Sequence, residues 1–158
     1  MTKYTFFWDG PFSNWAKTSF RYCNNKFSSS EQALMWAKAM YFDDILAASM
    51  IMATDDPKKQ KEYGRKVRNY DDTRWSKVRY NLMVDILYNK YSQDLTMKEH
   101  LLCTTGTILV EASPYDTIWG IGLATSDPRA QDESTWLGQN LLGKALTEVR
   151  TQLENERN

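Results

Sequence analysis

Residues 28–42, SSSEQALMWAKAMYF, place apolar positions at helical spacing behind a run of small polar residues. Ser28 stands three residues before Glu31, the spacing of a capping box. The stretch beyond is rich in helix formers and free of Gly and Pro, so a helix is expected to begin here. Leu34, Met35 and Phe42 share a stripe with Glu31 and Lys38, which are two turns and about 10 Å apart along the axis. An acid and an amine in largely apolar surroundings have shifted proton affinities. On pattern alone two readings stay open. Glu31 is a capping partner and Lys38 a solvated amine, or both side chains lean toward a common ligand.

The same reading extends to the rest of the chain. Residues 3–8 are rich in β-branched and aromatic side chains and predict a short strand, closed by a turn at Asp9-Gly10-Pro11. Residues 20–23 and 26–28 flank Asn24-Asn25 and predict a hairpin, since Asn tolerates the left-handed region. Asp43-Asp44 offers a cap for a helix over 45–53. Pro57 opens another over 58–68, and Asp71-Asp72 caps a long one over 73–91 whose Trp75, Val78, Leu82, Met83, Ile86 and Leu87 mark a core face. A helix over 95–103, a buried strand over 107–112 with Glu111 among apolar neighbours, and an amphipathic helix over 141–153 complete the set. Residues 114–140 form a long connection holding Asp116, Trp119, Gly120, Gly122 and Trp136, and connections of that length are functional or disordered. Its tryptophans argue for order. The expected fold is α+β, a mainly helical single domain (residues 1–158) packed around a small β-sheet.

Composition narrows the function. The 158 residues carry 20 Lys and Arg against 20 Asp and Glu, a formal net charge of zero, which argues against a duplex-wrapping protein. Positive charge concentrates at Lys58, Lys59, Lys61, Arg65, Lys66 and Arg68, read as a solvated face or a seat for phosphate. Arg65 is favoured because Gly64 lets a backbone come close. Two cysteines without ligand spacing and one histidine, His100, make a disulfide framework or a His-based metal site improbable, so a reducing cytoplasm, no metal and no cofactor are expected. No signal peptide and no long apolar run is seen, and no membrane association is expected. Phosphate-loop, dinucleotide, nucleophile-elbow and HExxH motifs are absent. Carboxylates, one or two lysines and many rings remain (six Trp and nine Tyr), an inventory suited to cleaving a glycosidic bond beside a stacked base.

Four blocks in order carry a resemblance: SSSEQALMWAKAMYF, the Gly64-Arg65 pair, LVEASPYDTIWGIGL and WLGQNLLGKALTEVR, preceded by FxxGPFSNW. Together they span Phe7 to Arg150, and the chain resembles the NADAR (YbiA-like) superfamily of N-glycoside hydrolases. Members of that family remove ADP-ribose from guanine or cleave phosphoribosyl-amine intermediates of riboflavin synthesis. The family's SxE…K helix falls on Ser29 or Ser30, Glu31 and Lys38. The resemblance implies that Lys38 attacks the anomeric carbon to form a Schiff base and that Glu31 accepts a proton or activates water. It further implies that Asp116 holds ribose hydroxyls or assists the leaving base. Trp119 would stack on sugar or base, and Asn14 and Trp15 would line the pocket. Glu111, Ser113 and Gly120 belong to the same block as Asp116, and Arg65 would meet phosphate. Asn140 and Gly143 match the last block, where loop geometry is the expected role, and Asn140 is grouped with the substrate-binding residues.

The basic helix and a domain that stands alone favour ADP-ribosylated guanine as substrate, in a nucleotide or a nucleic acid, with release of ADP-ribose. Phosphoribosyl-amine cleavage is the alternative. A third reading, from another class, is a non-catalytic module that binds ADP-ribose or related nucleotides; its signature would be loss of Glu31 or Lys38, and both are present.

Overall fold

A computed structural model describes residues 3–157. These residues fall into two compact units, one of residues 3–13 with 95–157, the other Asn14–Asp94. The α+β, mainly helical class expected from the sequence holds. The strands form two separate two-stranded sheets, one in each unit.

In the Asn14–Asp94 unit, β2 (Phe20–Tyr22) and β3 (Asn25–Phe27) pair antiparallel with Tyr22 opposite Asn25. The turn is therefore Cys23-Asn24, both at positive φ (50° and 65°), one residue earlier than the Asn-Asn pair suggested. Asn24 tolerates that region, and Cys23 adopts it because two-residue hairpins favour turns with both central residues left-handed. Helix α1 (Ser30–Tyr41) lies at the middle, packed by α2 (Ile45–Met52), α3 (Pro57–Arg65) and α4 (Asp72–Gln93). Helices α2, α3 and α4 start where the acids and Pro57 said they would, capped by Asp44, Asp56 and Asp71. Helix α3 stops at Arg65, leaving Lys66 and Arg68 beyond it. Asp44 does double duty. Its carboxylate also accepts from the Arg68 amide at 2.8 Å, tying the chain after α3 to the start of α2, and these backbone donors hold its pKa below the usual carboxylate range.

The cap of α1 differs from expectation. Ser29 is the N-cap, its hydroxyl accepting from the Gln32 amide at 3.0 Å. The Gln32 side chain accepts from the Ser28 amide at 2.8 Å. The capping pair is shifted one residue, and Gln32, not Glu31, is the residue that reaches back. The shift turns Glu31 inward, where it is buried.

In the other unit, β1 (Tyr4–Phe7) and β4 (Ile108–Glu111) pair in parallel, Tyr4 beside Ile108 and Phe7 beside Glu111. Helix α6 (Leu141–Arg157) packs on β4, with α5 (Leu95–Leu102) against α6. Leu142, Ala145, Leu146, Val149 and Leu153 of α6 are all buried, as their spacing predicted. The long connection is ordered by its own bonds. Leu137 and Asn140 donate backbone N–H to Ile121 and Gly120, and Trp136 Nε1 donates to the Ala130 carbonyl at 2.9 Å. Tyr4, Val110, Ile121, Leu123 and Ala130 form an apolar core beneath it.

Candidate active site

Within the Asn14–Asp94 unit, the chemistry gathers along α1. At its first turn the Glu31 amide donates to the Asn14 carbonyl at 2.9 Å, and the Ser30 hydroxyl donates to Asn14 Oδ1 at 2.8 Å. Asn14 is thereby fixed to the turn that carries Glu31. Two turns on, the Lys38 amine sits 4.5 Å from the centre of the Tyr70 ring. Burial is the main cause that pulls its pKa below the ordinary lysine value. Arg65 pushes the same way, while Glu31 and Asp72 oppose. The amine is thus half-buried; burial and Arg65 favour the neutral, nucleophilic form, against Glu31, Asp72 and the Tyr70 ring face.

Rings hold this arrangement. Phe42, one turn after Lys38, packs at 5.4 Å on Tyr70 and at 6.3 Å on Trp75, and the Tyr70 hydroxyl donates to Asp72 Oδ1 at 2.7 Å. Arg65 arrives through close packing of α3 on α1. A Cβ added at Gly64 would lie 2.0 Å from Met35 Sδ. What Gly64 admits is therefore the neighbouring helix and not a ligand, and that approach brings Arg65 near Lys38. Trp15 is exposed by 45%, with the Lys61 amine 6.0 Å from its ring.

Sequence reasoning missed Lys90. It lies on the buried face of α4, fully enclosed, with its amine donating to Ser30 Oγ at 3.3 Å. Burial pushes its pKa down to about 7, opposed by Asp94. Lys90 thus extends the Ser30–Asn14 chain of bonds at the start of α1. The signal that could have found it is the stripe Trp75, Arg79, Met83, Ile86, Leu87, Lys90, in which two cations occupy core positions.

The other unit builds its own constellation. Ser113 is buried and its hydroxyl accepts from the Tyr115 and Asp116 amides at 3.3 and 3.2 Å. Asp116 Oδ1 in turn accepts from the Ile118 and Trp119 amides at 2.9 and 2.8 Å. The SPYDTIWG loop is thus a pair of linked side-chain turns, with Asp116 anchored through one carboxylate oxygen. Gly120 is needed where it stands. A Cβ there would come to 3.0 Å from the carbonyl oxygens of both Asp116 and Glu111. Glu111 ends β4, its amide donating to Asn140 Oδ1 at 3.0 Å, while Asn140 Nδ2 donates to the Leu109 carbonyl at 3.0 Å. Asn140 is 1% exposed with φ of 54°, and its amide acts as a short stand-in for a neighbouring strand. These bonds join the Asn140 side chain to the backbone at both ends of the Leu109–Glu111 segment.

The NADAR domain model matches residues 6–154, and this chain belongs to the NADAR family. Among its relatives, N-glycosidase R617 of Acanthamoeba polyphaga mimivirus is 38% identical over 144 residues, covering 88% of this chain and 85% of that one. The chloroplastic riboflavin biosynthesis protein PYRR of Arabidopsis thaliana is 35% identical over 82 residues, 52% of this chain and 12% of that one. The solution NMR structure of E. coli YbiA superposes with a TM-score of 0.80 at 26% identity, covering 99% of this chain and 89% of that one. Among the described residues no helix is long and apolar enough to cross a membrane.

Proposed function

We propose that this protein is an N-glycosidase that hydrolyses the ribosyl–nitrogen bond of ADP-ribosylated guanine and releases ADP-ribose. The observation that carries the reading is the Lys38 amine, lowered in pKa by burial beside Tyr70 and within the field of Glu31. A neutral amine at that position attacks the anomeric carbon. The carbon–nitrogen bond breaks with its electron pair going to the guanine nitrogen, which takes up a proton. Ring opening of the glycosylamine gives a Schiff base on Lys38. Water activated by Glu31 then adds, and the free sugar leaves as the amine is restored. Asp116 and Trp119 are assigned by resemblance to the ribose hydroxyls and the departing base, with Asn14, Trp15, Arg65, Glu111, Ser113 and Gly120 in supporting contacts. Naming of the mimivirus relative as an N-glycosidase supports the class of reaction.

The test is incubation with ADP-ribosylated guanosine in the presence of borohydride. Reductive capture should add the mass of the sugar nucleotide to Lys38, and Lys38→Ala should lose both adduct and turnover. Full turnover in that variant would remove Lys38 as nucleophile. The second reading is cleavage of phosphoribosyl-amine intermediates, favoured by the plant relative's riboflavin name. Parallel kcat/KM values for the two substrates decide between them.

A further inference from the structure

Arg79 lies on α4 one turn beyond Trp75, on the face turned into the unit. It is 9% exposed, and its Nε is buried without a hydrogen-bond partner. The ion pairs formed among the described residues do not include it. A buried guanidinium N–H without a partner is unfavourable, so a residue kept in that state has a use for that donor.

Its position follows from two contacts. The Lys90 amine meets Ser30 at the first turn of α1, and the Trp75 ring meets Phe42 just past the last turn, so α1 and α4 run antiparallel. Four residues onward from Trp75 and four back from Phe42, about 6 Å along each axis, Arg79 comes level with Lys38. Tyr70 joins them. Its ring carries the Lys38 amine, and Arg79 is near enough to oppose the upward shift of the Tyr70 phenol. Arg65 reaches the same place from α3. Lys38 from α1 and Arg79 from α4 therefore meet at Tyr70, whose hydroxyl donates to Asp72, while Arg65 and Glu31 act on the Lys38 amine.

We propose that Arg79 is a binding residue for a phosphate group of the substrate, taking two phosphate oxygens through its Nε edge. This deepens the N-glycosidase reading and rests on it, and a sugar-borne phosphate is common to both substrates considered above. Guanidinium geometry fits two oxygens at once, and a charge-assisted pair formed away from water is strong. The placement also protects the nucleophile. A phosphate brought near Lys38 on its own would stabilise the ammonium form. With Arg79 and Arg65 balancing its charge, the amine stays available.

The probes are ribose 5-phosphate and pyrophosphate, with adenosine and citrate as controls, titrated calorimetrically into wild type, Arg79→Met and Arg79→Lys. Circular dichroism confirms folding, and Arg79→Met should be at least as stable as wild type because it removes a buried Nε without a partner. Ribose 5-phosphate affinity should fall about tenfold to a hundredfold in Arg79→Met, with partial recovery in Arg79→Lys and adenosine unaffected. Unchanged affinity in Arg79→Met overturns the proposal, as does a wild type that binds neither phosphate probe or prefers citrate. Wild type that binds ribose 5-phosphate through Arg79 yet cleaves neither N-glycoside supports Arg79 and removes the N-glycosidase reading. Wild type that cleaves ADP-ribosylated guanosine with the same KM as Arg79→Met does the reverse.

Discussion

The amine of Lys38 rests 4.5 Å from the centre of the Tyr70 ring. A ring face favours the ammonium form, as does Glu31, yet burial is the larger influence and sets the net direction downward. Turnover that depends on the free amine should therefore rise with pH through a midpoint below 10.5, the ordinary lysine value. Carbon NMR titration of the Lys38 Cε should show the same midpoint. Removing the acid in Glu31→Gln takes away an influence that raises the pKa, so the Cε midpoint should drop further. A midpoint that moved up would contradict this account of the electrostatics.

Lys90 gives a prediction of opposite character. Its pKa falls from 10.5 in the unfolded chain to about 7 in the folded one. The unfolded state therefore binds more protons between those values. Stability should climb as pH rises from about 7 toward 10.5, with the full burial penalty present below 7. Lys90→Met removes the group responsible for this pH dependence, together with the bond to Ser30. It should therefore flatten that slope, which urea denaturation at several pH values measures.

The shifted cap of α1 separates two serines. Ser29→Ala should lower stability by about 1 kcal/mol or more, since it loses the bond to the Gln32 amide. The Ser29 hydroxyl also donates to Gln60 Oε1 at 3.0 Å, which adds to the loss. Ser28→Ala keeps the backbone bond to Gln32 and should change stability less. Equal losses in thermal melts would refute the assignment of the cap.

Asn140 and Gly143 should behave as structural residues. Asn140→Ala leaves the Glu111 amide and the Leu109 carbonyl without their partner, at about 1–3 kcal/mol for each buried group. KM for the glycoside should change little. Gly143→Ala places a Cβ 2.1 Å from the Leu109 carbonyl oxygen, a backbone atom that cannot rotate away. It should destabilise strongly although alanine is the better helix former. A loss of turnover from Asn140→Ala with unchanged melting temperature would instead make Asn140 a contact to substrate.

The sequence by itself determined the helices and their approximate ends, because caps, Pro57 and apolar periodicity are local properties that need no distant partner. It also marked Glu31 and Lys38 as neighbours on one stripe, since seven residues is a fixed rise along a helix. It could not decide which serine caps α1, for Ser28 and Ser29 offer the same hydroxyl one residue apart. That choice follows from Gln60 and Gln32 coming to meet them. Nor could local pattern show that Arg79 and Lys90 point inward. Charged residues read as solvated until packing shows otherwise, and burial of these two depends on where α4 lies against α1. The placement of Tyr70 under Lys38, and the approach of Arg65 through the gap at Gly64, belong to tertiary structure for the same reason. Each joins residues far apart in the chain, Tyr70 from the connection between α3 and α4 and Arg65 from α3, and only the packing of the helices fixes their distance from Lys38.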